Sequence, residues 1–76
     1  MSRALWLIGS EIRRDWGVKV SYAAEPYLDA MDSLDSVQDS YGCDSGRSIV
    51  AYFLANAQSW RGETAKRIKM ELKAMI

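Results

Sequence analysis

The groups in this sequence that could do chemistry are carboxylates and amines, because its 76 residues include no His and only one Cys. Without His there is no imidazole base, no Ser-His triad and no His metal ligand. Cys43 alone cannot form an internal disulfide or a Cys-rich zinc site, which favours a reducing cytoplasm as the compartment. Nothing sets a nucleophile beside a base, so we expect neither an enzyme nor a bound cofactor.

The acidic residues form the first regular pattern. Asp32, Asp35 and Asp39 follow one another at spacing i, i+3, i+7, which places their carboxylates on one face if the segment is helical. Calcium requires about six to eight oxygen ligands in a wrapped loop, and this face supplies only part of that set. The stretch from Asp39 to Asp44 also lacks the glycine placement of an EF-hand loop. The acidic face therefore does not predict a metal site.

The basic residues are arranged in a similar way near the C-terminus, where Lys66, Lys69 and Lys73 repeat the spacing i, i+3, i+7. One face is purely acidic and the other purely basic, and two interpretations stay open. The faces are solvated flanks of amphipathic helices, or they pair with each other, within one chain or between two. The second interpretation predicts a protein that self-associates and binds its partner through these residues.

The net charge conceals this layout. Ten basic and ten acidic side chains give a formal charge of zero, which argues against a general polyanion binder and against a highly acidic nucleic-acid mimic. By segment, residues 25–46 carry six carboxylates and no base, whereas residues 47–76 carry six bases and two carboxylates. We therefore expect strong local fields on a neutral chain.

Apolar periodicity predicts that helices position these side chains. The expected fold is all-α, a compact bundle of three to four amphipathic helices that forms one domain over residues 1–76. The first helix runs from about Arg3 to Trp16. Ser2 is placed to cap its N-terminus, and Gly17 can adopt the left-handed conformation that ends it.

The later helices are predicted from turn formers and caps. The second helix runs from Pro26 to Tyr41, and the third begins after a cap at Asp44 or Ser45. A fourth follows a bend near Ser59, and whether it is separate from the third or continuous with it stays open. The predicted core positions are Leu5, Ile8, Ile12, Trp16, Tyr27, Ala30, Met31, Leu34, Val37, Tyr41, Ile49, Val50, Phe53, Leu54, Ala57, Ala65, Ile68, Leu72 and Met75.

Two apolar side chains of the first helix lie off its apolar stripe. Trp6 and Leu7 fall well outside that stripe, and Leu7 lies nearly opposite it, beside Arg3 and Arg14. Large exposed apolar residues next to Arg are typical of partner-binding surfaces. The alternative is that the other helices wrap around helix one and bury more than one face. Trp60, at the junction of helices three and four, is interpreted as a core plug.

A nucleic-acid interpretation is the main alternative. Residues 53–70 can be drawn as a helix, a turn and a second helix, which would present Arg61, Lys66, Arg67 and Lys69 to DNA. The turn has no clear signature, however, and the acidic block would have to be kept away from phosphate.

The C-terminal half of the sequence resembles a class of known proteins. The segments Tyr52–Ala57, Trp60–Glu63 and Ile68–Lys73 resemble short helical proteins of bacteriophages and other bacterial mobile elements, and Glu25–Met31 does so more loosely. The similarity covers about two thirds of the chain, and no functional residue can be carried over from it. The resemblance implies an accessory protein of the bacterial cytoplasm that acts by binding host or phage machinery.

No membrane segment is predicted, because the apolar run from Ala4 to Gly9 is too short for a signal-peptide core and charged residues follow at once. We therefore expect a cytoplasmic, non-catalytic protein that acts by protein–protein interaction. Its partner-binding residues would be Trp6 and Leu7 together with the acidic and basic faces. The alternative is a small helical nucleic-acid binder that uses the C-terminal helix.

Overall fold

The computed structural model describes residues 3–76. The described chain is mainly helical, as predicted, but it also contains a short β-hairpin that the all-α prediction did not include. The elements in chain order are α1 (Leu5–Trp16), a short 3-10 helix (Gly17–Lys19), α2 (Glu25–Met31), β1 (Ser40–Tyr41), β2 (Asp44–Ser45), α3 (Gly46–Ala55) and α4 (Glu63–Met75).

The four helices pack in a closed ring around one apolar core. α1 contacts α2, α2 contacts α3, α3 contacts α4, and α4 returns to α1. Each helix turns its apolar stripe towards the centre, as burial of an amphipathic face requires. The core consists of Leu5, Ile8, Ile12, Trp16, Ala24, Leu28, Ala30, Met31, Leu34, Ile49, Val50, Phe53, Ala57, Trp60, Ala65, Ile68 and Leu72.

The N-terminus of α1 is held by the backbone that follows α2. The amide N–H groups of Leu5 and Trp6 donate to the carbonyl oxygens of Asp35 and Leu34, at 3.1 and 3.0 Å. A helix leaves its first amides without an internal partner, and these two bonds satisfy two of them. Ser2, the predicted cap, lies outside the described residues. At the other end Gly17 takes φ +64° and ends the helix where predicted.

The prediction of a second helix reaching Tyr41 is wrong, because α2 ends at Met31. Acidic side chains at the C-terminal end of a helix are repelled by the negative end of its dipole. α2 has no basic residue in its last turn that would offset this repulsion. The Asp39 carboxylate instead accepts from the amides of Asp35 and Ser36, at 2.9 and 3.3 Å, and folds the segment into a turn. Asp32, Asp35 and Asp39 therefore do not lie along one helix face.

The hairpin turns at Gly42 and Cys43 and pairs Tyr41 with Asp44. Gly42 occupies the first central position with φ +62°, the conformation that favours Gly in a type II′ turn. The chain then enters α3 at Gly46, which packs so closely that an added Cβ would lie 2.6 Å from the carbonyl oxygen of Ser36. The hairpin thereby returns the chain onto the turn that follows α2.

Helices α3 and α4 are separate, which resolves the question left open by the sequence. Ser45 is the cap of α3, since its hydroxyl oxygen accepts from the amide of Ser48 at 3.1 Å, and Asp44 is not. Residues 56–62 connect the two helices, and Gly62 rather than Ser59 precedes the first turn of α4. Five predicted core residues lie outside the buried core. Tyr41 is exposed, and four others are only partly buried against the core: Tyr27, Val37, Leu54 and Met75.

Candidate interaction surfaces

Trp6 and Leu7 form an exposed apolar pair on the outer side of α1, named here the Trp6–Leu7 patch. Their exposed fractions are 44% and 45%, so the packing of α2 and α4 against α1 leaves both side chains open to solvent. The indole N–H of Trp6 donates to Asp35 Oδ1 at 2.9 Å. The ring is therefore exposed while its polar atom is already bonded, which fixes its orientation.

An ion-pair network lies on the α4 side of the Trp6–Leu7 patch. Arg3 donates to both carboxylate oxygens of Glu71, at 2.9 and 2.7 Å, and to Glu11 at 2.7 Å. Glu11 also accepts from Arg67 of α4. The hydrogen bonds from Arg3 lower the pKa of Glu11 and of Glu71, and those carboxylates raise the pKa of Arg3 in turn. The network fastens α4 to α1.

Arg67 therefore has a structural partner. The sequence placed it with Arg61, Lys66 and Lys69 as a group facing DNA, whereas the structure directs its guanidinium towards Glu11 on α1. Of the four residues of that alternative, the other three lie together on a different side of α4. This separation could have been predicted from the sequence, because on a helical projection Arg67 lies about 100° from Lys66 and about 160° from Lys69.

Four carboxylates follow the other side of α1 and are named here the acidic edge: Glu25, Asp29, Asp32 and Asp35. Arg13 of α1 binds Glu25 at 3.1 Å and Asp29 at 2.5 Å, and lies 3.7 Å from Asp32. Glu25 is the main cause of the raised pKa of Arg13. One guanidinium thus faces three carboxylates, which leaves the edge acidic.

The composition of the acidic edge differs from the sequence prediction. Asp32 and Asp35 belong to it, but the carboxylate of Asp39 is engaged by backbone amides in the turn after α2. Glu25 and Asp29 take its place. Glu25, Asp29 and Asp32 are spaced i, i+4, i+7 over α2 and the residue that follows it, a pattern that could have been found in the sequence. The contribution of Arg13 could not, since it depends on how α1 packs against α2.

Four cations lie at the α4 side of the molecule and are named here the basic edge: Arg61, Lys66, Lys69 and Lys73. Burial is the main cause that lowers the pKa of Lys69, and the nearby charges of Lys73 and Arg61 lower it further. Throughout the described residues 3–76, none of the four makes an ion pair within 4.0 Å. The acidic and basic faces therefore do not pair within one chain.

The basic edge is built around Trp60, which is a core plug as predicted. Its exposed fraction is 2%, and its ring stacks on Trp16 with centroids 5.6 Å apart. The indole N–H donates to Asp15 at 2.9 Å, and Lys69 Nζ donates to the Trp60 carbonyl oxygen at 2.6 Å. Trp60 and Lys69 border a shallow groove of about 330 Å³. The groove is lined by Trp60, Arg61, Gly62, Ala65, Lys66 and Lys69.

The two charged edges lie on different flanks of the ring of helices. The acidic edge follows the junction of α1 with α2, and α4 lies on the other side of α1. The side chains of α4 that reach α1 are Arg67 and Glu71. On a helical projection Lys66 and Lys73 lie about 100–160° away from them, towards the α3 side and solvent.

Comparisons with known proteins provide no family for these surfaces: no protein-family model, curated protein or solved structure matches the chain. Within residues 3–76, no group of three or more metal-ligating side chains is placed to hold an ion. No helix in the same residues combines the length and apolar character needed to cross a membrane. The Trp6–Leu7 patch and the two charged edges are the surfaces that contain residues predicted to bind a partner.

Proposed function

We propose that the protein is a non-catalytic protein-interaction module that binds its partner through the Trp6–Leu7 patch. The observation that supports this most is the exposure of two adjacent large apolar side chains, at 44% and 45%, with the indole N–H of Trp6 bonded to Asp35. Large aromatic side chains dominate the energy of protein interfaces. A ring that is already oriented loses less conformational freedom on binding.

The charges around the patch are suited to selecting the partner. Asp32 and Asp35 lie on one side of it and the network of Arg3 on the other. Charged groups at the rim of an interface steer association and exclude wrong partners more than they add affinity. With the resemblance to short phage proteins, we place the protein in the bacterial cytoplasm, as an accessory factor that binds host or phage machinery and also associates with itself.

The experiment is affinity capture from a bacterial lysate with the tagged chain and two variants. Trp6→Ser/Leu7→Ser removes the patch, and Val18→Ser replaces an exposed apolar residue outside it as a matched control. We expect a protein retained by the wild type and by Val18→Ser but lost from the patch variant. Circular dichroism checks that the variants are folded. A retained set that is the same for all three chains would overturn the proposal.

A second candidate function is nucleic-acid binding through the basic edge. Arg61, Lys66 and Lys69 line one groove, and none of them is ion-paired among residues 3–76. Two observations weigh against a helix-turn-helix. Arg67 is engaged by Glu11, and residues 56–62 make a connection of seven residues, longer than the three or four typical of that motif.

A further inference from the structure

We propose that the basic edge of one copy binds the acidic edge of a second copy, so that the protein self-associates head to tail. This inference rests on the proposed function as an interaction module and specifies one partner, a second copy of the chain. It depends on the charges, lengths, apolar contacts and relative positions of the two edges.

The charges of the two edges are complementary. On the acidic edge four carboxylates are offset by the single guanidinium of Arg13, which leaves a formal charge of −3. The basic edge carries four cations and therefore +4. Like charges crowd each other there, since Arg61 and Lys73 lower the pKa of Lys69. A row of carboxylates docked on this edge would relieve that repulsion.

The two edges also match in length. The acidic edge extends along α1 from Arg13, which three of its carboxylates face, to Trp6, which bonds Asp35, a separation of seven helical positions. Lys66 and Lys73 are separated by the same number of positions on α4. At 1.5 Å per residue both rows are about 10 Å long. The lysines of α4 can therefore reach the carboxylates at both ends of the acidic edge.

Each edge has an exposed apolar side chain beside its charges. Met70 is 64% exposed and lies four positions after Lys66 and three before Lys73, on the outer side of α4. Trp6 is 44% exposed at the end of the acidic edge, bonded to Asp35. A thioether packs favourably against an aromatic ring. Met70 lies three positions from Lys73, about 5 Å along α4, so its flexible side chain can reach Trp6 and add an apolar contact towards that end of the charged contact.

The positions of the edges determine the kind of assembly. Because the two edges share no residue and lie on different flanks of the ring of helices, a copy that binds through its basic edge keeps its acidic edge free. Such a heterologous contact produces open chains, or rings if the rotation closes, rather than a two-fold dimer. The charges are exposed, and salt should therefore weaken the contact strongly.

Sedimentation velocity at low and high salt tests the inference. At about 20 mM salt the Debye length is roughly 20 Å, and at about 500 mM it is roughly 4 Å. We expect wild-type species larger than a dimer at low salt that grow with protein concentration, and monomer at high salt. A wild-type monomer under both conditions, or a salt-insensitive dimer, would overturn the inference.

Edge variants make the test specific. Lys66→Glu/Lys73→Glu removes the basic edge, and Asp29→Asn/Asp32→Asn weakens the acidic edge. Each variant alone should be monomeric at low salt. Their equimolar mixture should contain dimers and nothing larger, since only one intact edge of each sign is present. Arg14→Glu/Arg47→Glu makes the same change in net charge at residues that line neither edge and should assemble like the wild type.

The outcomes separate this inference from the proposed function. Loss of assembly in the Arg14→Glu/Arg47→Glu control would mean that net charge rather than the edges drives association, and would overturn the inference. A wild type that is monomeric but binds duplex DNA at low salt would also overturn it, because a polyanion would then be the ligand of the basic edge. In either case the capture experiment with the Trp6→Ser/Leu7→Ser variant still decides whether the patch binds another protein.

Discussion

Arg3 binds Glu71 through two guanidinium nitrogens, at 2.9 and 2.7 Å, across 68 residues of sequence. A bidentate pair of this kind fixes geometry as well as charge. Through the further bond from Arg3 to Glu11, the segment before α1 is fastened to α1 itself and to α4. The N-terminal and C-terminal parts of the chain are thereby held beside the Trp6–Leu7 patch.

Arg3→Met should lower the free energy of unfolding by about 1 kcal/mol, because the pair is partly exposed and solvent screens it. The pKa of Glu11 and of Glu71 is lowered in the folded state. This stabilisation is therefore complete above their ordinary pKa and is lost as the pH falls through the lowered values. Urea unfolding between pH 7 and pH 3 measures it. The variant should lose less stability than the wild type over this range, and Arg14→Met serves as the control.

Trp60→Ala should unfold the chain. Removing a large buried aromatic side chain costs about 3–5 kcal/mol, which equals the stability expected of a domain of this size. Trp6→Ala removes the same side chain type from an exposed position and should leave the fold intact. Circular dichroism and thermal melting compare the two variants. Equal losses would contradict the assignment of Trp60 to the core and of Trp6 to the surface.

Gly46→Ala should destabilise the protein by about 1–3 kcal/mol, because the new methyl group must displace backbone rather than a flexible side chain. Its Cβ would lie 2.6 Å from the carbonyl oxygen of Ser36. Gly9→Ala is the matched substitution in α1, where the nearest atom would lie at an ordinary 3.5 Å. It should stabilise the protein by about 0.5–1 kcal/mol through helix propensity. Chemical denaturation measures the free energy of unfolding of both variants, which should fall for Gly46→Ala and rise for Gly9→Ala.

The core helices could be predicted because their signals are local. Apolar periodicity identified the buried stripes of α1, α3 and α4, and Ser45 was one of two caps proposed for α3. The stretch after Met31 could not be predicted in the same way. Its backbone carbonyls cap α1, and the hairpin that follows is accommodated because Gly46 lacks a side chain. The capping of α1 and the close approach of Gly46 are both contacts between distant parts of the chain. They outweigh the apolar spacing that predicted a longer second helix.

The candidate surfaces show the same contrast between features that depend on one helix and features that depend on packing between elements. Helical projection from the sequence was enough to place Trp6 and Leu7 off the buried stripe, where they are exposed. The lysines of α4 also share a side as predicted. The acidic face was only partly predicted. The Asp39 carboxylate accepts hydrogen bonds from backbone amides instead of joining the face, and Arg13 of α1 forms ion pairs with its carboxylates. Long-range partners of a charge are not visible in its sequence neighbours.

Duplex DNA should not bind the protein at about 50 mM salt, where phosphate contacts are strong. This prediction follows because we assign the basic edge to a second copy and Arg67 to Glu11. Fluorescence anisotropy with a mixed-sequence duplex measures it. Binding that weakens steeply with salt and disappears in Lys66→Glu/Lys69→Glu would favour the nucleic-acid function instead.

The central claim is that the Trp6–Leu7 patch is a protein-binding surface, and capture from a bacterial lysate with wild-type and Trp6→Ser/Leu7→Ser chains tests it most directly. We predict at least one protein that the wild type and the Val18→Ser control retain and the folded patch variant does not. The same retained proteins on all three chains would contradict the claim.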